Sequence, residues 1–457
     1  MTRTVAQPVA AKPAPHALLG KSGWVLGGFV MTYGLRFGLN VVYTRLLAPE
    51  IMGIMVILNA VRLGIELLTD VGIEQNIIHH ADGETAHFRN AAWTMQVGRG
   101  LLLSTLFVVA TPALGAFYHV PVALFYVAAL SPFLGGLHST AIFVLVRKLE
   151  VSRRNMFEVG SEVLGFAVAV TLTLVLRNVW GPVFALVISV AIRTGLSYLL
   201  PHSGQRLVID RTIQRRIFAF GKWIALTSLL MYGASNLDRL YFGRVVPLAL
   251  VGIYGVARAI AEIPTTLARR IGYQLVFPAL ARAGGEGEAL STAHVLSVRR
   301  IFVWVAASGL GVGIAIADWV IALVYDPRYA AAGWMLAVLL VGGLFAILSN
   351  LNEALLLAAG RPALSTAASA AKLCLLALLL PLGNWLGGLG LALCAITLTE
   401  IGQYGFIAWG VRRVGGAVFR QDAIAVGLAA AALAIIAALR FACGFTLPFA
   451  GLTVAWR

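Results

Sequence analysis

The stretch GWMLAVLLVGGLFAILSNLNEALLLA, Gly333–Ala358, decides the fold of this chain because it is apolar over a membrane-crossing length. An α-helix needs about 20 mainly apolar residues to cross the hydrocarbon core of a bilayer. The stretch contains a single charged residue, Glu353. We therefore predict a membrane-spanning helix here.

Twelve further stretches have the same character, and a shorter apolar segment, 445–456, is a fourteenth candidate interrupted by Pro448. The chain has 457 residues, of which 60% are hydrophobic and only 12% are charged. A soluble domain is about 25% charged, so this composition excludes a water-soluble globular protein and predicts an all-α polytopic membrane protein. The thirteen predicted spans are residues 22–46, 50–73, 91–112, 121–146, 158–176, 181–201, 217–241, 247–267, 301–325, 333–358, 362–383, 387–411 and 423–441.

Basic residues alternate between the connectors in a way that orients the chain. With residues 1–21 as a cytoplasmic tail, inner connectors carry 21 Lys and Arg residues against 5 in outer ones. Short cytoplasmic loops are rich in Lys and Arg, so the split supports both the span count and a cytoplasmic N-terminus. Membrane topology then accounts for the formal net charge of +16, and we expect no nucleic-acid partner.

A weak internal repeat predicts two related halves. Arg62 and Glu66 in span 2 are four residues apart, as are Arg258 and Glu262 in span 8, and a proline and a Gly-Ile pair precede each. Transporters are often built from such repeats, with the binding site between them. We predict a cytoplasmic tail (1–21), pseudo-symmetric six-helix lobes (22–201 and 217–411), a basic cytoplasmic linker (202–216) and one or two extra C-terminal helices (412–457).

Charged side chains within the spans are the candidate functional residues. A charge at the centre of a lipid-facing helix costs about 2.5–3.5 kcal/mol, so these residues should face a protein interior, a partner or a wet cavity. Arginine suits phosphate because its guanidinium presents a fork of donors, and the first half has a small cationic excess, whereas the second is slightly anionic. Substrate-binding candidates are Arg36, Arg62, Arg99, Arg193 and Arg258; gating or ion-coupling candidates are Glu66, Asp70, Glu262, Lys372 and Glu400. For Arg36, Arg62 and Arg258 a purely structural ion pair is the alternative.

Other signatures of chemistry are weak. Gly20-Lys21-Ser22 resembles the end of a phosphate-binding loop, but Pro15 stands where that motif needs glycine. The histidines of the connector after span 2 lack metal-ligand spacing. We therefore expect no metal, no cofactor and no catalytic residue, and the short outer loops argue against a membrane glycosyltransferase.

Several segments resemble one known family in order. RLLAPEIMGIMVI (Arg45–Ile57) and LLTDVGIEQNIIHH (Leu67–His80) are similar to the opening signature of the polysaccharide transporter family, the Wzx-like oligosaccharide flippases. That family belongs to the superfamily of multidrug, oligosaccharidyl-lipid and polysaccharide exporters. The likeness continues through NLDRLYFGRVVPLALVGIYGVARAIAEIP (Asn236–Pro264), VFPALAR (Val276–Arg282), YDPRYAAAGWML (Tyr325–Leu336) and LNEALLLAAGRP (Leu351–Pro362).

The resemblance implies a V of two six-helix lobes that flips a polyprenyl-diphosphate-linked oligosaccharide, a polysaccharide precursor, across the bacterial inner membrane by alternating access. It implies lipid-linked oligosaccharide and membrane lipids as partners, with a polysaccharide polymerase or co-polymerase as a further candidate. Cavity charges engage the diphosphate-sugar head in relatives, which points to Arg36, Arg62 and Arg258. The alternative is a cation-coupled small-molecule or drug exporter of the same superfamily, which would need a mainly acidic pocket.

Overall fold

The computed structural model describes residues 15–69, 72–148, 150–272, 293–415, 418–449 and 451, and within these ranges the regular structure is helical. The α-helices are α1 (Pro15–Leu46), α2 (Pro49–Leu67), α3 (Ile73–His79), α4 (Ala86–Tyr118), α5 (Val122–Ala128), α6 (Leu130–Gly136), α7 (Ala141–Arg147), α8 (Val151–Leu176), α9 (Trp180–Ser197), α10 (Arg211–Val245), α11 (Leu248–Ile271), α12 (Ala293–Ala315), α13 (Ala317–Val324), α14 (Ala332–Ala358), α15 (Pro362–Arg413) and α16 (Phe419–Ala442). Short 3₁₀ turns lie at Ala81–Glu84 and Pro327–Tyr329.

Each predicted span falls on helix, which confirms the all-α membrane fold. Of the described helices, seven are long and apolar enough to cross a membrane, or up to ten if each bent pair crosses as one. Three predicted spans are bent rather than straight: 121–146 by 55° between α6 and α7, 301–325 by 67° between α12 and α13, and 217–241 by 43° within α10. The 52-residue α15 covers two predicted spans, and non-helical Gly387 and Gly388 separate them.

Some predicted boundaries were wrong. Helix α2 ends at Leu67 and not at residue 73, and the separate helix α3 follows it. Helix α1 begins at Pro15 and α10 at Arg211, so each extends into a segment predicted as tail or linker, and the domain boundaries at residues 21 and 202–216 stay predictions. The C-terminal segment provides one extra helix, α16, because residues 443–449 are non-helical; residues 452–457 lie outside the described ranges.

Helix α16 is joined to α12 and α13 by an ion pair near each end, of which the Arg299–Asp422 pair is fully buried. Arg299 Nη2 lies 2.5 Å from Asp422 Oδ1, and both side chains are fully buried. Arg440 Nη2 lies 2.6 Å from Asp318 Oδ2 near the opposite end. Arg299 lies outside the predicted spans, yet it is fully buried because the buried carboxylate of Asp422 lets it leave water.

Two glycines let α2 and α11 cross at backbone contact. A Cβ on Gly53 would lie 2.0 Å from the carbonyl oxygen of Leu248, and one on Gly252 would lie 2.0 Å from that of Pro49. The two contacts are reciprocal, since each glycine follows by four residues the residue that meets the other glycine. Only a residue without a side chain fits either position, so the repeat noted in the sequence marks a close helix crossing.

Two further hydrogen bonds lie at the end of the molecule where α2 and α11 cross. Arg45 Nη2 donates to the carbonyl oxygen of Val324 at 3.2 Å, and the Tyr329 hydroxyl donates to that of Leu47 at 3.1 Å. These residues lie at the helix ends predicted to face outward. The lobe boundaries at 22–201 and 217–411 stay a prediction, because α2 packs mainly against α10 and α11.

Candidate functional site

A cavity of about 820 Å³ lies among α1, α2, α4, α8 and α9, beside the break between α6 and α7. We call it the N-cavity. Its Arg, Glu and His lining comprises Arg36, Arg62, Glu66, Glu74, Arg99, His138, Arg154, Glu158, Glu162 and Arg193. Four of the five arginines chosen from sequence therefore meet in one cavity, together with the gating candidate Glu66. The candidate Asp70 lies outside the described residues.

Two of these arginines are held by glutamates. Arg36 Nη2 of α1 lies 2.5 Å from Glu162 Oε1 of α8, and the Arg36 side chain is 58% exposed. Arg62 Nη1 lies 2.6 Å from Glu66 Oε1, one helical turn further along α2. The structural ion pairs considered from the sequence are thus present, but both guanidiniums also line the cavity and have further donors to offer a ligand.

The remaining arginines differ in how they are held. Arg99 Nε donates to Thr69 Oγ1 at 3.1 Å and its Nη2 donates to the main-chain oxygen of Glu66. Arg154 Nε of α8 lies 2.8 Å from Glu158 Oε1. The lining holds five arginines against four glutamates, so the N-cavity has the small cationic excess expected from the sequence.

A second cavity, the C-cavity, has a volume of about 320 Å³ and lies among α10, α11, α14 and α15. Arg258 lines this cavity and not the N-cavity, so the five candidate arginines do not form one site. Leu63 of α2 lines both cavities and separates them. The C-cavity lining includes Arg239, Arg258, Glu262, Arg269, Glu353, Lys372 and Glu400, which brings three gating candidates together.

The carboxylates of the C-cavity are closely bound. Glu262 Oε1 lies 2.5 Å from Arg239 Nη2 and 3.1 Å from Arg258 Nε, and Arg258 Nε lies 3.5 Å from the buried Asp238. Lys372 Nζ lies 2.7 Å from Glu400 Oε1. The Arg258 side chain is only 13% exposed, which favours its structural alternative.

The slightly anionic charge predicted for the second half of the chain is not found at the surface of the C-cavity. Four cations and three glutamates line the C-cavity, so its lining is not anionic. Asp238, which the sequence count included, is 1% exposed and lies behind the surface against Arg258. The mainly acidic pocket that a cation-coupled exporter would need is therefore not seen in the described lining.

An apolar groove of about 540 Å³ meets the N-cavity from the surface between α1 and α8. Leu35 and Phe166 line both the groove and the N-cavity. The groove is wide because Gly27 and Gly34 project no side chain, and nothing lies within 4 Å of a Cβ built on either. A polar cavity and an apolar groove thus adjoin, which suits an amphiphile.

Sequence reasoning did not select five ionisable lining residues of the N-cavity, which are Glu74, His138, Arg154, Glu158 and Glu162. Arg154 was assigned to a connector, but α8 begins at Val151 and carries it into the cavity. His138 follows Gly135 and Gly136 inside an apolar span, and this polar interruption was the available signal. Among the described residues, no group of three or more His, Cys, Asp or Glu could hold a metal ion.

Comparison with curated proteins finds distant relatives. The chain is 23% identical to the teichuronic acid biosynthesis protein TuaB of Bacillus subtilis (strain 168) over 301 residues, 65% of this chain and 62% of TuaB. It is 24% identical to the succinoglycan biosynthesis transport protein ExoT of Rhizobium meliloti (strain 1021) over 350 residues, 74% of this chain and 67% of ExoT. The chain thus spans about two thirds of the length of these relatives.

Solved structures share the fold. The lipid II flippase MurJ in an inward closed conformation superposes with a TM-score of 0.73 at 10% identity, over 96% of this chain and 95% of MurJ. An inward-facing multidrug resistance MATE family transporter of the MOP superfamily superposes with a TM-score of 0.63 at 15% identity, over 85% of this chain and 94% of that one. These superpositions establish the fold of a multi-pass membrane protein. At such low identities they do not show which substrate this chain binds.

The family whose description is polysaccharide biosynthesis protein matches residues 42–333. The match includes most of the N-cavity, the crossing of α2 with α11 and the basic residues of α11. It extends over more than half of the sequence, and this chain therefore belongs to the polysaccharide biosynthesis protein family.

Proposed function

We propose that this protein is a flippase that moves a polyprenyl-diphosphate-linked oligosaccharide across the bacterial inner membrane by alternating access. The observation that carries the proposal is the N-cavity, a space of about 820 Å³ lined by five arginines and joined to an apolar groove. Its relatives TuaB, a teichuronic acid biosynthesis protein, and ExoT, a succinoglycan biosynthesis transport protein, support it. So does the likeness in fold to a lipid II flippase.

The cavity lowers the main energetic cost of flipping, which is the transfer of a charged diphosphate through the centre of the bilayer. By the insertion scale for charged side chains, two charges at the bilayer centre would cost about 5–7 kcal/mol, before the sugar hydroxyls are counted. Guanidinium groups can replace the lost water, because each presents paired donors to phosphate oxygens. The volume falls within the roughly 300–1,000 Å³ usual for small-molecule sites.

The conformation fits loading from the cytoplasmic side. The crossing at Gly53 and Gly252 closes the end predicted to face outward. At the other end the N-cavity lining extends to Glu74 near the start of α3 and Arg154 near the start of α8. A head group that enters there would be released outward once α2 and α11 separate.

The groove provides a place for the rest of the substrate. A polyprenyl chain gains nothing by entering a polar cavity and is stable in lipid. The groove along Gly27, Gly34 and Gly38 leads from Leu35 and Phe166 at the cavity wall to the apolar surface of α1. The head can therefore lie in the N-cavity while the tail stays outside.

Ion-pair exchange supplies a gating step. A diphosphate oxygen that binds Arg62 competes with Glu66 for the same donor, since the two side chains lie 2.6 Å apart. The released Glu66 carboxylate, together with Glu262, Lys372 and Glu400 of the C-cavity, forms our set of gating or ion-coupling groups. We propose transport without covalent catalysis, a cytoplasmic N-terminus, and a polysaccharide polymerase or co-polymerase as a functional partner.

The experiment is leaflet-resolved labelling of the lipid-linked oligosaccharide in intact cells, with a membrane-impermeant reagent for outer-face sugars. Cells without the gene, complemented by wild type, should regain the labelled fraction. Arg62→Gln should lower that fraction at least tenfold at equal membrane level, because it removes a cationic fork from the cavity. Arg153→Gln is the matched control, since Arg153 is 61% exposed outside the cavity.

Two results would contradict the proposal. The labelled fraction could be unchanged when the gene is absent and no second flippase is present, which would remove the flippase function and favour the small-molecule exporter. Alternatively, Arg62→Gln could flip at the wild-type rate, which would remove Arg62 from the mechanism.

A further inference from the structure

His138 is held at a break in a membrane helix. Residues 137–140 separate α6 from α7, and the chain bends by 55° there. The Gln96 side-chain amide donates to the main-chain oxygens of Gly136, at 3.1 Å, and His138, at 2.8 Å. The Tyr198 hydroxyl donates to the oxygen of Leu137 at 2.6 Å. Carbonyls freed by the break are thus bound by side chains, so the His138 backbone has a fixed position on the cavity wall.

The imidazole of His138 has a defined tautomer. Its Nδ1 lies 3.0 Å from the main-chain oxygen of Ser139. A carbonyl oxygen only accepts, so Nδ1 carries a proton and donates, which leaves Nε2 of the neutral ring as an acceptor. Nε2 is buried, and the described residues provide it with no hydrogen-bond partner. Buried polar atoms are normally bonded, and His138 lines the N-cavity, so a donor that enters the cavity could supply the missing bond.

Arg193 of α9 supplies a cation at the same place. Its guanidinium carbon lies 5.8 Å from the centroid of the Phe157 ring, and the His138 ring lies 5.7 Å from the same centroid, edge to face. Within the described part of the chain Arg193 has no carboxylate within 4.0 Å, whereas Arg36, Arg62 and Arg154 each have one. The Phe157 ring is therefore a common neighbour of the uncompensated Arg193 guanidinium and the His138 ring, and both residues line the N-cavity.

We propose that His138 and Arg193 form a subsite for a ligand unit that carries an anionic oxygen next to a hydroxyl. Arg193 binds the anionic oxygen, and the hydroxyl donates to His138 Nε2. The inference rests on the flippase function, because it assigns part of the same cargo to this corner of the N-cavity. Two sources have this chemistry: the diphosphate with its first sugar, and an acidic sugar such as a uronic acid further along the glycan.

The test measures binding of three lipids to purified full-length protein: undecaprenyl diphosphate, its glucosyl derivative, and a disaccharide derivative that ends in glucuronic acid. His138→Phe removes the acceptor and keeps an aromatic ring against Phe157. Arg193→Gln removes the charge. His87→Phe is the matched control, because His87 is 63% exposed at the inner surface.

Each source has its own signature. If the diphosphate and first sugar bind here, His138→Phe weakens binding of both glycosylated lipids about tenfold and leaves undecaprenyl diphosphate unchanged. In that case Arg193→Gln weakens all three lipids. If an acidic sugar binds here, both variants weaken only the glucuronic acid lipid.

The subsite is overturned if both variants bind all three lipids as wild type does while Arg62→Gln binds them more weakly; the flippase function then stands. If the wild type binds none of the lipids, the flippase function fails and takes the subsite with it. Arg193→Lys distinguishes binding from folding, since it restores the charge without the fork and should recover part of the lost affinity.

Discussion

Replacement of Gly53 by alanine should open the outer end of the protein. The new Cβ would lie 2.0 Å from the carbonyl oxygen of Leu248, which is 1.4 Å short of the 3.4 Å at which ordinary contact begins. The obstacle is backbone, so α2 and α11 must separate. Overpacking of this kind costs about 1–3 kcal/mol, and if the strain exists only in the closed state it shifts the equilibrium roughly 5- to 150-fold toward the open one.

Accessibility of the N-cavity from outside measures that shift. The reporter is Asn59→Cys, which lines the cavity, in a background where Cys374, Cys394 and Cys443 are serine. A membrane-impermeant maleimide added to intact cells should label the reporter faster when Gly53→Ala is present. The control is Gly160→Ala, because nothing lies within 4 Å of a Cβ at Gly160.

The second glycine of the crossing gives an independent measurement. Gly252→Ala meets the Pro49 oxygen at the same 2.0 Å and should raise the labelling rate as well. Equal labelling in all of these variants, at equal membrane level, would show that the crossing is not the outer gate.

Two further predictions concern stability and the groove. Asp422→Asn leaves the fully buried Arg299 without its counter-charge, so the free energy of unfolding in detergent should fall by about 3–5 kcal/mol. Asp326→Asn is the control, because its ion pair is partly exposed and its loss should change the melting temperature little. Equal effects of the two substitutions would refute the role of burial. Gly34→Leu should fill the apolar groove without a clash and slow flipping severalfold, whereas the control Gly160→Leu should not slow it. A normal flipping rate for Gly34→Leu would exclude the groove as the path of the polyprenyl tail.

The fold was predictable because hydrocarbon imposes one strong condition on a spanning helix. An apolar run such as 333–358 can satisfy its backbone hydrogen bonds within lipid by forming a helix, and the observed helix begins at Ala332 and ends at Ala358. The bend at 316 was not predictable from hydropathy, and the bend at 137–140 was marked only by polar residues such as His138, which do not by themselves predict a bend. Gln96 and Tyr198, which bind the freed carbonyls at the bend at 137–140, lie far away in sequence.

The candidate site was predictable in composition but not in pairing. The cost of a charge in lipid selects Arg36, Arg62, Arg99 and Arg193 whatever their partners are, and all four line the N-cavity. The i, i+4 pairs Arg62–Glu66 and Arg258–Glu262 were the partners that helix geometry alone could reveal.

Long-range pairs decide which charges are free to act. Arg258 satisfies the same sequence criteria as Arg62, yet Asp238 and Glu262 neutralise it and its side chain is 13% exposed. Arg193 has no such partner among the described residues, although nothing in its own helix sets it apart. A displaced carboxylate must find new solvation, so a ligand gains more from an arginine that is already uncompensated than from one already bound twice. We therefore expect an anion to bind in the N-cavity, and we expect the closely paired C-cavity to be the part whose ion pairs rearrange when the lobes move.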